Sequence, residues 1–350
     1  MEADTTEPKT YSIVATGTPA PFVSVSPFLE VLSSRVGNVE PNSLIEVLSR
    51  TIYGSNMILG AGGSLPTTYR ICYAVFQGLP IPEELAEDDF NYKEITDHLE
   101  FMKIPVSYES VTKCYRETLQ HAKATKGLIT KIVIHRQPFD EATFKEANRL
   151  LTYNDDPSPQ EPWAAHGGGG KYRQRGTAHD QRFLDGSQIP SAMLGMINEL
   201  ATEMISLDMT PLPPKQEDVQ ERIWRACRFC HRFILIRPFM DGNGRMYRLF
   251  LTTLLLRAGV CPAVYGLSIY DRMRHLQAET SCYIQDNQML LNAADLVIFG
   301  PSQQLVKFVN EHTYCGWESP GNHMLKFLHA TGQSTGQGLE DPAASKMHPR

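Results

Sequence analysis

Apolar positions recur along this chain at steps of three and four, the spacing that places side chains on one face of a helix. Val219, Ile223, Cys227, Cys230 and Ile234 form one such stripe, with Pro213-Pro214 as its start signal. Met246, Leu249, Phe250, Leu254 and Leu256 form the next, closed by Arg257 and Gly259. Between them Pro238 breaks the first helix, and the glycines of Asp241-Gly242-Asn243-Gly244 let the backbone fold tightly around Asn243. Helix, loop, helix is the prediction. The same periodicity predicts helices over Phe28–Leu32, Leu44–Tyr53 behind Pro41-Asn42-Ser43, Tyr92–Met102, a segment from Asp140 as cap through Leu151, Pro190–Leu207, Ser268–Tyr283 and Leu290–Asn310. Lys126–Ile134 is an apolar run that reads as a short helix or a buried strand. Leu79–Leu85 and Asn154–Gln160 read as connectors, Trp163–Gly170 as an exposed glycine-rich insertion, and Arg182–Gly186 as a hairpin-like piece.

Composition narrows the class. With 350 residues, 42% of them hydrophobic, the chain can bury one large core or two smaller ones. No run approaches a membrane span, and Met1 to Glu7 lacks the basic and apolar parts of a signal peptide, so a cytoplasmic or nuclear location is expected, with no membrane partner. A net charge of −6 without a Lys/Arg block argues against nucleic acid. Seven scattered cysteines suggest buried thiols in a reducing compartment. Cys227-Arg-Phe-Cys230-His231 has the letters of a haem-attachment motif, but it sits inside an amphipathic stripe and has no second cysteine pair.

The loop carries the chemistry. A glycine-rich turn opening a helix points unpaired N–H groups at one spot, where the helix dipole adds positive character. Arg245 and Arg248, three apart, add forked donors suited to phosphate oxygens. Asp241 at the loop mouth would repel bare phosphate, which suggests a bridging Mg²⁺ and hence a nucleotide.

Arg237-Pro-Phe-Met-Asp-Gly-Asn-Gly-Arg-Met-Tyr-Arg248 resembles the signature of the Fic (fido) family, His-x-Phe-x-Asp/Glu-Gly-Asn-Gly-Arg-x-x-Arg, at every fixed position except the first, where Arg237 replaces the histidine. The resemblance implies a mainly α fold, a Fic-type helical bundle with a small β-hairpin flap, and transfer of AMP from ATP to a protein hydroxyl. It implies that Asp241 holds Mg²⁺, that Gly242, Asn243 and Gly244 cradle the α- and β-phosphates, and that Arg245 and Arg248 bind the β/γ end. The missing histidine is the family's base, a role closed to Arg237 because guanidinium stays protonated. Ser55, Ile58 and Gly60 fit the family's inhibitory-helix pattern Ser/Thr-x-x-x-Glu-Gly/Asn, but Leu59 takes the glutamate position and cannot pair with the second arginine; an ordinary helix end with a glycine-rich turn fits equally well. Gly170-Lys171-Tyr172-Arg173 resembles the start of the flap over which a target protein would dock, with Phe183 as clamp or plain hairpin core. Tyr270-Asp271-Arg272 and His275 either flank the base or are ordinary helix residues.

The resulting organisation is a disordered tail over 1–20, an N-terminal helical region with a degenerate inhibitory motif over 21–105, a Fic core over 106–328 and a flexible tail over 329–350. The partner expected is ATP or another phosphorylated small molecule. Three functional readings follow: an AMP or other NMP transferase working without the histidine, a pseudoenzyme that binds a nucleotide, and a divergent glycosyl- or metabolite-tailoring transferase using the same cleft.

Overall fold

Local capping chemistry sets most of the helix boundaries. A computed structural model of the chain describes residues 25–152, 169–174, 184–286 and 302–313. Among them run eleven α-helices: α1 Pro27–Arg35, α2 Pro41–Ile58, α3 Leu65–Gln77, α4 Phe90–Phe101, α5 Tyr108–Ile129, α6 Glu141–Leu151, α7 Ile189–Asp208, α8 Gln216–Ile236, α9 Asn243–Arg257, α10 Ile269–Asp286 and α11 Gln303–His312. Proline occupies the first turn of α1, α2 and α3, where its missing N–H costs nothing. Ser26, Glu40, Ser64, Asp89, Ser107 and Asp140 each accept a bond from the first-turn amides behind them.

The run 126–134 is helical. It completes α5 and continues as a π turn, Thr130–Ile134, which buries Ile132, Val133 and Ile134 together. A strand would have sent alternate residues to opposite faces. α8 begins at Gln216, just beyond the two prolines, where Glu217 and Asp218 face the positive end of the helix. At the expected hairpin, Gly186 opens a single 3-10 turn, Gly186–Gln188, because the Asp185 carboxylate caps the Ser187 amide at 2.9 Å and directs the chain into α7. Among the described residues there is no strand, only isolated bridges between Tyr172 and Phe239 and between Ala263 and Thr313. The remainder of the flap expectation, including Phe183, and the two terminal tails fall outside the described residues, as do 290–301 of the last predicted helix.

One apolar cluster gathers α1 to α5, and a larger one gathers α5 to α11. α9 lies where they meet, packed on α2, α5, α6, α8 and the π turn. Its Phe250 joins Phe139, Phe144 and Phe233 in an aromatic knot with centroid distances of 5.0 to 6.0 Å. α2 reaches the segment after α9 by backbone contact: a Cβ on Gly54 would lie 1.8 Å from the Tyr265 carbonyl oxygen, so only glycine fits. The C-terminal part of α2 also meets the first turns of α9, where Ser55 bonds Arg248.

Candidate functional site

The turn between α8 and α9 is built on Asn243. Its side-chain oxygen accepts from the Phe239 amide at 3.0 Å, and its amide nitrogen donates to the Phe239 carbonyl at 2.7 Å, closing the loop on itself. Phe239 is buried, with its ring against Phe233 and Tyr172. α8 ends at Arg237, which adopts the left-handed conformation at φ 43°, ψ 63°. Gly242 precedes α9 at φ 75°. A Cβ there would lie 2.7 Å from Thr152 Cγ2 and 2.9 Å from Asn148 Nδ2, so the position requires glycine on two counts. No side chain caps α9, which leaves its opening amides to whatever lies at the loop mouth.

Two residues outside the loop hold its carbonyls. Asn148 of α6 donates to the Asp241 carbonyl at 3.0 Å and accepts from the Gly170 amide at 2.9 Å. Arg173 donates through Nε to the Arg237 carbonyl at 2.8 Å and through Nη2 to the carbonyls of Ile236, at 3.1 Å, and Leu184; its own amide donates to Pro238 at 2.9 Å. The signal for Asn148 was an amide on the buried stripe of α6 with Phe144, Ala147 and Leu151, a place where a polar group needs partners.

Arg245 and Arg248 are both buried, 5% and 2% exposed. Arg248 donates through Nε to the Ser55 hydroxyl at 2.8 Å and through Nη2 to the Ser55 carbonyl at 3.0 Å, with its guanidinium 5.3 Å from the Tyr247 ring centroid. Ser55 therefore touches the loop's second arginine, whereas Leu59 caps α2 and is 52% exposed. Gly60 follows at φ 67°. Behind the arginines, His121 bonds Asn56 Oδ1 at 2.8 Å. Burial pushes its imidazole pKa far down, and the charges of Arg245 and Arg248 push it further, so the ring is neutral. Glu279 of α10 lies within electrostatic reach of Arg248 and Arg237: burial raises its carboxyl pKa, while those two charges and the Tyr247 hydroxyl oppose the rise.

Arg237, Met240 and Asp241 are exposed at the mouth, and Asn243 and Gly244 are half-buried. Among the described residues no group of three or more His, Cys, Asp or Glu side chains could hold a metal ion. An ion at Asp241 would therefore need water or ligand oxygens to complete its shell, as Mg²⁺ sites commonly do.

Other candidates are used elsewhere. His231 accepts from the Ser302 amide at 3.1 Å and contacts the Cys282 carbonyl at 3.2 Å, while Cys227 and Cys230 are buried in α8 with burial raising their thiol pKa values. His275 is buried against Tyr265, with centroids 5.0 Å apart, and meets the Tyr247 hydroxyl. Asp271 lies 3.8 Å from His312, and Tyr270 is exposed.

Most of this helix-loop-helix, with the α6 contact that braces it, falls within residues 138–255, which match the model of the Fic/DOC family. Over that stretch the chain is similar to Fic domains. A Fic-domain-containing signalling protein from Bacteroides thetaiotaomicron shares the fold with a TM-score of 0.53 at 18% identity, over 89% of this chain and 100% of that one. A Fic family protein from Desulfovibrio desulfuricans aligns at a TM-score of 0.43 and 18% identity, covering 92% of this chain and 79% of its own. Fic-1 from C. elegans aligns at 0.47 and 15%, covering 88% and 70%. Only the first supports an argument about fold. Curated proteins give no match. No helix among the described residues is long and apolar enough to cross a membrane.

Proposed function

We propose that this protein binds a nucleotide, ATP with Mg²⁺ or a related phosphorylated ligand, at the N-terminus of α9, and that standard AMP transfer to a protein is impaired because Arg237 stands where the family signature has its histidine. The observation that carries the reading is that no side chain caps the first turn of α9 behind a left-handed Gly242, so its opening amides stand at the positive end of a helix. Arg237 adds a fixed cation at the exposed rim. Asp241 would hold Mg²⁺ through its carboxylate, and the ion would neutralise phosphate charge. Asn243 keeps the turn in shape, and Gly242 permits the left-handed bend and the close packing on Thr152 and Asn148 that aim the first amides of α9.

The chemical step is the weak point. A positioned base contributes about 10²–10⁴-fold. A guanidinium offers no lone pair for the acceptor proton. A second reading, a divergent transferase in the same cleft, draws on Glu279, a carboxylate of raised pKa within electrostatic reach of both Arg237 and Arg248.

Calorimetric titration with ATP and Mg²⁺ tests binding: the wild type should saturate and Asp241→Ala should weaken affinity about tenfold or more, roughly 1.4 kcal/mol. Incubation with α-labelled ATP separates the readings. Under the first, label appears on protein only after Arg237→His. Label on the wild type that disappears with Glu279→Gln supports the second. A wild type that ignores ATP, with and without Mg²⁺, while the fold stays intact, sinks the nucleotide assignment.

A further inference from the structure

Asn148 is 1% exposed and stands on the buried stripe of α6 with Phe144, Ala147 and Leu151, where an apolar side chain would pack without needing partners. Both ends of its amide are used. Oδ1 accepts from the Gly170 amide at 2.9 Å, and Nδ2 donates to the Asp241 carbonyl at 3.0 Å. One backbone donor and one backbone acceptor admit a single orientation of the side chain, because Oδ1 can only accept and Nδ2 can only donate. The consequence falls on the 241–242 peptide, which is trans. In a trans peptide the carbonyl and the N–H point in opposite directions, so drawing the Asp241 carbonyl onto α6 turns the Gly242 N–H away from it. No described residue accepts a hydrogen bond from that N–H. Gly242 does not choose this orientation by itself. Turning the peptide over would carry its φ from 75° to the negative side, which glycine adopts about as readily.

We infer that Asn148 is a positioning residue that fixes the polarity of the 241–242 peptide, so that a phosphate at the start of α9 meets an N–H and not a carbonyl oxygen. The inference deepens the proposed nucleotide reading and rests on it for the identity of the anion. A carbonyl turned the other way would set partial negative charge against the ligand. The residue type follows from the two bonds. Aspartate would keep an acceptor for Gly170 but offer the Asp241 carbonyl no donor, and leucine of similar volume would offer neither.

Amide exchange resolved by NMR on the full chain tests the orientation with no ligand present. Asn148→Asp keeps the acceptor for Gly170 and puts a second acceptor where the donor stood, so the 241–242 peptide should turn over and give its N–H to the carboxylate. Exchange at Gly242 should then slow about tenfold or more, while the Met246 amide, bonded to the Gly242 carbonyl at 2.8 Å, keeps its wild-type rate. Loss of stability alone would speed both. Unchanged or faster exchange at Gly242 overturns the inference. Calorimetry with inorganic pyrophosphate and Mg²⁺ tests the consequence for binding. Asn148→Ala, which alters no charge, should weaken pyrophosphate about fivefold, and Asn148→Asp about tenfold or more. Wild-type affinity in Asn148→Ala overturns the inference, whatever its melting temperature. A wild type that binds neither pyrophosphate nor ATP removes the nucleotide reading, and the exchange rate at Gly242 still decides the orientation.

Discussion

Gly242 and Asn243 stand side by side and serve different ends. Gly242→Ala must fit a methyl group 2.7 Å from Thr152 and hold φ 75°, so it should cost about 1–2 kcal/mol and displace the first amide of α9. Asn243→Ala leaves the Phe239 N–H and carbonyl without their partners, a loss of about 2 kcal/mol. Urea unfolding would register both. Phosphate affinity should fall for both as well, and stability without a change in affinity would mean that the turn does not form the binding surface. The glycines and the Asn were legible in the sequence because turn chemistry is local. Ser55 was half legible: its spacing from Gly60 flagged it, but a bond to Arg248, 193 residues away, has no local trace.

The helix that carries the site is anchored at its far end by Arg257. That side chain donates to the carbonyls of Ile132 and Gln137 at 2.8 and 2.7 Å and pairs with Asp208, tying α9 to the π turn and to the end of α7. Arg257→Ala should therefore cost about 2 kcal/mol, because it leaves the main-chain acceptors Ile132 and Gln137 without their donor and removes the ion-pair partner of the exposed Asp208 carboxylate. Arg257→Lys should recover part of this in chemical denaturation; a variant as stable as wild type would show that the bonds are dispensable. The helices were legible from periodicity and caps, as Asp140 illustrates. The π turn was not, because a run such as Leu128 to Ile134 carries no phase information of its own. The 3-10 turn at Gly186 escaped for a similar reason: Asp185 can close a hairpin or cap a helix, and the direction of α7 decides.

Across the whole molecule, two buried imidazoles set a pH dependence. His121 and His275 have pKa values far below the ordinary 6.5, chiefly through burial. In each the folded state resists a proton that the unfolded chain accepts. Stability is then intact above about pH 6.5 and falls as pH drops below that value, by about 1.4 kcal/mol per unit for each ring. Glu279 works in the opposite sense, since its raised pKa lets the folded state take a proton earlier. Thermal melts at pH 7.5 and 5.5 should differ by several degrees in the wild type and by much less in the His121→Gln, His275→Gln double variant. An equal difference in both would assign the effect elsewhere. This behaviour was invisible in the sequence, where neither histidine announces that α5 or α10 turns it inward. The bracing of the loop by Asn148 and Arg173 was hidden likewise, since both contacts join residues more than sixty positions apart.

The left-handed backbone at position 237 has a practical consequence. For most side chains that conformation costs about 1–2 kcal/mol, and histidine is among the residue types that visit it more readily than arginine does. The scaffold already bears the cost, through the fork beneath its carbonyl, whichever residue sits there. An imidazole grafted at 237 should therefore melt at the same temperature as the parent or slightly higher, and any gain or lack of reactivity in that graft can be credited to proton chemistry and not to a disturbed chain.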